Sequence, residues 1–474
     1  MTQPQRGRWL ALGVLCTGVL MDVIDTTIVN VALPSIKADL GFSATNLAWV
    51  INAYVLTFGG CLLLSGKLGD LYGHRRLFLI GIAAFTATSL LAGLATSQVV
   101  LIVARAAQGV AGAVVAAVSL SLIMDLFPEP DARAKAMGVF GFVGAGGGSV
   151  GAMLGGLLTG MLNWHWIFLV NLPIGVAVFA MSLRLVPDTH NARERPRIDI
   201  AGAATITSSL ILAVYAIVNG NEAGWTSTAT LGLLAIAVVL FISFIVIEMR
   251  VREPLMPLGM FRLRNVATAN VVGVLWAASM FAWFFLSALY MQQVLGYDPF
   301  KVGLGFVPAN LIMAAFSLGL SAKMVMRFGL KFPLSFGLLL AGLGLVLFAR
   351  APIGGQFLID VLPGMTLLGL GAGMAFNPVL LAAMSDVDAR DSGLASGLVN
   401  TSFMLGGALG LAVLASLAAA RTESLLATHA NTLESLNTGY QAAFAVGAVF
   451  AFAAALIGLV GIRAAKVDLA NATH

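Results

Sequence analysis

Apolar runs about twenty residues long, separated by short polar connectors, recur along the whole chain. They fall near 9 to 33, 47 to 65, 77 to 96, 99 to 124, 136 to 160, 165 to 186, 199 to 219, 229 to 249, 266 to 292, 302 to 322, 333 to 350, 357 to 382, 395 to 418 and 440 to 463. A hydrocarbon core about 30 Å thick takes roughly 20 apolar residues of helix. Lipid cannot satisfy bare backbone groups, so the pattern predicts helices. The expected fold is an all-α polytopic membrane protein with fourteen transmembrane helices. The longest charged connectors, 187 to 198 and 250 to 265, bracket two spans with almost no buried polar chemistry. They divide the chain into an N-terminal six-helix bundle over 1–186, a linker with two inserted spans over 187–265, and a C-terminal six-helix bundle with its tail over 266–474. Two similar bundles around a midplane site are a common transporter plan.

Composition agrees with the pattern: 59% of 474 residues are hydrophobic and 10% are charged, and the mean hydropathy is +0.96. Soluble domains are not built this way. The distribution of basic residues tests the span count, because one missed span would invert every later loop. With a cytoplasmic N-terminus, 21 Lys and Arg fall in inner loops, four (Lys37, Lys301, Arg350 and Arg421) fall in outer loops, and Arg105 lies inside a helix, which accounts for all 26. An even number of spans follows, with both termini in the cytoplasm and the chain in the inner, or plasma, membrane. The formal charge of +5 then reflects topology and contact with anionic lipid, and no nucleic-acid partner is expected. The first apolar run is long and carries two aspartates, so it reads as a retained span and not a cleaved signal. Cys16 and Cys61 lie in spans and the five histidines are scattered, so neither a disulfide framework nor a metal site is indicated.

Several stretches are more specific. Gly66-Lys-Leu-Gly-Asp-Leu-Tyr-Gly-His-Arg-Arg76 is a tight loop between spans 2 and 3 whose glycines permit a reversal. Asp25-Thr-Thr-Ile-Val-Asn-Val-Ala-Leu-Pro34 lies in span 1, Arg105-Ala-Ala-Gln-Gly109 in span 4 and a glycine-rich run over 141–160 in span 5. Trp164 to Gly175, Tyr290 to Tyr297 and Ser392 to Thr401 extend the set into both halves. Together they resemble the major facilitator superfamily, in its drug:proton antiporter branch with fourteen spans, over nearly the whole chain. The resemblance implies gating roles for Gly66, Asp70, Gly73, His74, Arg75, Asp125, Gly151 and Gly155. Asp70 would meet the start of span 13 near Gly393 to Ser396, and Arg75 or His74 would reach Asp125. Three departures matter: Ala152 stands where the antiporter motif has proline, His74 where the loop has Arg or Lys, and Met326 where the second-half loop would match Asp70.

Asp22, Asp25 and Arg105 are the main ionisable residues deep inside spans, where such groups are costly enough to suggest function. At about 1.5 Å per residue, Asp25 lies roughly 12 Å from the outer end of span 1 and Arg105 roughly 9 Å from the outer start of span 4, so the two can share a level. Asp22 and Asp25, three apart, occupy neighbouring positions on one helix face. One reading is a neutralising Asp25–Arg105 pair that only pins spans 1 and 4. It leaves Asp22 unexplained. Two carboxylates this close cannot both ionise easily, so one is expected to hold a proton. The resemblance points to Asp25 as the acidic position, and local electrostatics favour Asp22 as the group protonated longer; the two are treated as one unit with Arg105.

Asn30, Asn52, Tyr54 and Gln108 in the first half, and Trp276, Trp283, Tyr290, Gln292, Asn310, Asn377 and Asn400 in the second, are candidate substrate contacts. Each alone is more often packing or an interfacial anchor; together they suit an aromatic cavity for amphipathic molecules. The acidic pair and aromatic faces favour cationic or neutral ligands. No Walker-type loop is present, so the expected energy source is a proton gradient, with no cofactor. The expectation is a non-enzymatic, proton-coupled antiporter that exports drugs by alternating access, working as a monomer with small-molecule substrate, protons and lipids as partners. A dedicated exporter of one metabolite, lipid or self-made antibiotic, and a membrane receptor or sensor, are the alternatives.

Overall fold

A computed structural model describes residues 5–187, 199–251, 254–256, 258–385, 387, 392–428 and 431–463. Several basic residues assigned to inner loops (Arg193, Arg195, Arg197, Arg252, Arg390 and Lys466) lie outside them. The described residues form helices and turns, with no strand among them. In chain order the helices are α1 Gln5–Leu40, α2 Trp49–Tyr72, α3 His74–Gly93, α4 Gln98–Leu126, α5 Pro130–Met161, α6 Trp166–Leu169, α7 Asn171–Leu185, α8 Ile200–Ala223 and α9 Thr228–Arg250. There follow α10 Arg264–Leu289, α11 Pro299–Ala315, α12 Ser321–Phe328, α13 Lys331–Phe348, α14 Leu362–Met384, α15 Ser392–Leu426 and α16 Thr432–Gly461. Among the described residues, 11 helices are long and apolar enough to cross a membrane, and shorter apolar stretches at Asn46–Leu62, Val150–Met161 and Pro299–Ala315 lie at three further positions read as spans.

The chain divides into two compact units, 1–255 with 288–307, and 256–287 with 308–474. In the first, α1 packs on α4, α5 and α7, α4 on α2 and α3, and the α8–α9 hairpin leans on α2. In the second, α13 packs on α14 and α16, and α15 on α14 and α16. Close approach of α1 and α5 is built into the sequence by Gly147, Gly151 and Gly155, which recur every four residues and so share one helix face. A Cβ at Gly151 would collide with Thr27 Oγ1 and lie 2.9 Å from the Ile24 carbonyl oxygen; one at Gly155 would lie 2.6 Å from the Ile28 carbonyl oxygen.

The span read at 165–186 stands as one apolar stretch, Trp166–Leu185, with a turn at Val170 between α6 and α7, where Pro173 has no N–H to offer the Leu169 carbonyl. Two sequence expectations are corrected. The span read at 302–322 is interrupted by a π-helical turn at Phe316–Leu320 in which Gly319 takes φ 120°, a region that favours glycine. The two inserted spans do bury polar groups: Asp199, Ser209, Thr230 and Glu248 are buried. Helix ends and helix pairs use polar groups even here. Asp199 Oδ1 accepts from Gly202 N at 2.7 Å to cap α8, and Ser209 Oγ donates to the Ala237 carbonyl of α9 at 2.7 Å.

Candidate functional site: a buried acid pair with unequal partners

The interior of the first unit holds the charges. Asp25 on α1 is 0% exposed and Arg105 on α4 is 1% exposed, and they form an ion pair. A charge in such a place needs its remaining hydrogen-bonding capacity filled, and three helices supply the groups. Arg105 donates from Nε to the Val50 carbonyl of α2 at 3.0 Å and from Nη1 to Asp25 Oδ2 and, at 2.7 Å, to Gln108 Oε1. Asp25 Oδ1 accepts from Gln108 Nε2 at 2.8 Å and from Asn171 Nδ2 at 2.9 Å. Gln108 Nε2 also donates to Ser89 Oγ of α3 at 2.8 Å. The guanidinium lies 4.4 Å from the Tyr54 ring centroid and 5.7 Å from that of Phe168, a cation over two aromatic faces.

Asp22, one turn toward the N-terminus on the same helix, is placed differently. It is 7% exposed, and its Oδ1 accepts from the Tyr54 hydroxyl of α2. Its partner is a neutral phenol, whereas that of Asp25 is a cation. The expected unit of Asp22, Asp25 and Arg105 is therefore assembled in space, with Tyr54 and Gln108 drawn into it. Asn171 and Ser89 belong to it as well and were not among the residues singled out from the sequence. Asn171 stood in a quoted stretch as a lone amide in an apolar run, which was a usable signal; Ser89 offered none.

The other candidate contacts are more dispersed. Asn30 Nδ2 donates to its own helix at Thr26 and Thr27, 3.3 and 3.4 Å away, and its Oδ1 is buried with no hydrogen-bond partner. Asn52 is 0% exposed with neither side-chain polar atom partnered. Gln292 Nε2 donates to the Val31 carbonyl of α1 at 2.7 Å, and Tyr290 is buried nearby in the chain, in a π-helical turn. In the second unit Trp276 and Asn400 share a small pocket with Phe376, Val379, Leu380, Val399 and Phe403, and the Trp276 indole N–H is buried without a partner. Phe403 meets Phe281 and Phe376 edge-on, with centroids 6.0 and 5.9 Å away. Trp283 and Asn310 are buried and Asn377 is half-buried; none of them lines this pocket.

Of the gating residues, Gly73 joins α2 to α3 as a single residue at φ 90°, which favours glycine. His74 Nδ1 lies 3.4 Å from Asp125 Oδ2 at the end of α4, while Arg75 Nη2 donates to the Leu183 carbonyl at 2.6 Å. Of the two candidates for Asp125, His74 makes the contact. Gly66 is half-buried with open space where a Cβ would stand. The side chains of Asp70, and of Leu394 and Ser396 in the expected partner segment, lie outside the described residues. Gly151 and Gly155 serve the α1–α5 contact described above.

A polytopic helical protein with an ion pair sealed among its helices is of the membrane class, and buried charge there points to function. The comparisons narrow the class. Residues 15–411 match the Major Facilitator Superfamily. The chain is 37% identical to puromycin resistance protein pur8 of Streptomyces alboniger over 98% of its own length and 94% of that protein. It is 37% identical to cephamycin export protein CmcT of Amycolatopsis lactamdurans over 94% and 91% of the two chains, and 34% identical to the tetracenomycin C resistance and export protein of Streptomyces glaucescens over 88% and 77%. Its fold is similar to that of the human organic anion transporter MFSD10 (TETRAN), with TM-score 0.65 and 17% identity over 96% of this chain and 100% of that one. The chain belongs to the Major Facilitator Superfamily, and it is a membrane transporter and not an enzyme.

Proposed function

We propose that this transporter is a fourteen-span, proton-coupled antiporter of the inner membrane that exports amphipathic neutral or cationic drugs by alternating access. Both termini face the cytoplasm, one chain suffices, and the proton gradient is the energy source with no cofactor. The observation that carries the reading is the inequality of the two acids. Asp25 is saturated by Arg105, Gln108 and Asn171, so it is the fixed member that holds α1, α4 and α7 together. Asp22 accepts from a neutral hydroxyl beside that fixed charge, so it is the member that gains and loses the proton. Proton and substrate then act on one another through Asp22, and the linkage is reciprocal. Phe281, Trp276, Phe376 and Phe403 give the second unit an aromatic cluster, which is in keeping with amphipathic substrates once the cavity opens.

Export is supported by relatives whose names describe resistance or export. All three of those names specify a single antibiotic each, which favours, as a second reading, a dedicated exporter of one compound. Accumulation of a fluorescent drug panel in cells, with and without an uncoupler, tests both. Uncoupler-sensitive depletion of many panel members supports the multidrug reading, and depletion of one supports the dedicated exporter. Asp22→Asn should abolish or shift the pH dependence while leaving neutral-substrate binding largely intact; an unchanged pH profile would remove Asp22 as the carrier.

A further inference from the structure

Residues 105, 108, 109 and 112 of α4 are spaced three, four and seven apart, so they occupy one helix face. That face meets both acids of α1. Arg105 and Gln108 grip Asp25. One turn further on the same face has no side chain at all. A Cβ at Gly109 would collide with Thr57 Oγ1 and the Tyr54 carbonyl oxygen. A Cβ at Gly112 would lie 2.6 Å from Asp22 Oδ1, 2.6 Å from the Tyr54 hydroxyl oxygen and 3.3 Å from Phe58 Cδ2, in the angle where carboxylate and phenol meet. Separations of 2.6 Å are closer than a methyl carbon tolerates, so a larger residue forces the two oxygens to move.

Tyr54 has little freedom to move with them. Its ring lies under the Arg105 guanidinium at 4.4 Å, it stacks on Phe58 at 5.8 Å, and its main chain fills the notch at Gly109. The hydroxyl is held at one place, and the Asp22–Tyr54 bond forms only while α4 leaves that place empty. We propose that Gly112 is a positioning residue for the Asp22 proton site: by lacking a side chain it permits the Tyr54 hydroxyl to bond the carboxylate that titrates. α4 thus treats the two acids oppositely, giving Asp25 a cation and Asp22 a gap. This rests on the reading of Asp22 as the proton carrier.

The test uses the full-length protein in liposomes, reading substrate-induced proton release from pH 5 to 9 with an uncharged aromatic ketone as probe, alongside probe binding at fixed pH. Hydrogen bonds to charged groups are strong enough that losing one alters proton affinity by about tenfold. Gly112→Ala should therefore move the midpoint of the release profile by about one pH unit, with probe affinity changed by less than about threefold. Tyr54→Phe, which removes the same hydrogen bond without adding a methyl, should move it comparably, and Gly112→Ala should add nothing in either the Tyr54→Phe or the Asp22→Asn background. A Gly112→Ala protein with lowered thermal stability but the parent's midpoint would make Gly112 a packing glycine and overturn the proposal. So would a Gly112→Ala shift that persists after Asp22→Asn. If Gly112→Ala does not fold, the Gly112→Ala/Tyr54→Phe double variant, relieved of one clash, is compared with Tyr54→Phe; any difference in midpoint overturns the proposal and identity supports it. If Asp22→Asn alone leaves the profile untouched, the carrier assignment fails first and this proposal with it; an altered Asp22→Asn profile beside an unaltered Gly112→Ala profile rejects this proposal alone.

Discussion

Replacing Asp25 by Asn keeps the shape of the site and removes its negative charge. The Arg105 guanidinium left behind is 1% exposed and cannot discard its proton. Its remaining acceptors are the Val50 carbonyl at 3.0 Å, Gln108 Oε1 at 2.7 Å and the face of Tyr54, all neutral. Breaking a buried pair by removing one partner destabilises by about 3–5 kcal/mol, whereas replacing both partners with neutral groups is far milder. Asp25→Asn should therefore lose about 3 kcal/mol or more, and Asp25→Asn/Arg105→Gln should lose less than the sum of its single changes, with a coupling of about 2 kcal/mol. Unfolding of the purified protein in mixed micelles, followed by intrinsic fluorescence against added denaturing detergent, measures both quantities. A loss below about 1 kcal/mol for Asp25→Asn, or strict additivity in the double variant, would show that the pair is not the clamp described here.

Gly151→Ala sets a methyl against Thr27 and the Ile24 carbonyl; overpacking of this kind should cost about 1–3 kcal/mol, and Thr27→Ala should restore part of it in the same unfolding assay. Asn171→Ala removes one donor from a buried carboxylate and should destabilise by about 1.5–3 kcal/mol, with a smaller loss in an Asp25→Asn background, where the acceptor is neutral. Outside the spans, the hydrogen bond from Arg8 Nη1, 3.0 Å from both Glu129 oxygens, holds the Glu129 carboxyl below its ordinary 4.5. A lowered carboxyl stabilises above its unfolded value and loses that contribution as pH falls through the folded one, so the melting temperatures of Glu129→Gln and the parent should differ slightly at neutral pH and converge below about pH 4.5.

Much of this was legible in the sequence because membrane burial leaves few choices. A run of 20 apolar residues has to be helical, and an aspartate in one run with an arginine at matching depth in another points to a pair. Asn171 and Ser89 were harder to assign. An amide or hydroxyl in a span more often bonds its own helix, as Thr57 Oγ1 partly does to Ala53 at 2.9 Å, and only the folded chain shows which ones reach a neighbour. Gly112 had no reading beyond packing, since what a missing Cβ makes room for depends on three helices at once. The π-helical turns at Tyr290–Val294 and Phe316–Leu320 leave the hydrophobic pattern unbroken, so the pattern could not reveal them. Asp199 read as the first residue of a span, although an aspartate just before an apolar run is also a helix cap.

The one-residue joint at Gly73 has a mechanical meaning. A loop of several residues would act as slack rope between α2 and α3, absorbing any displacement of one before the other felt it. A single residue leaves no slack in length, so the facing ends of the two helices stay together, while the glycine lets the angle between them change. One helix carries Tyr54, whose hydroxyl bonds Asp22, and the other carries Ser89, which sits beneath Gln108 and through it beneath Asp25. A change of angle at Gly73 would therefore alter the separation of the Tyr54 and Ser89 sides of the site.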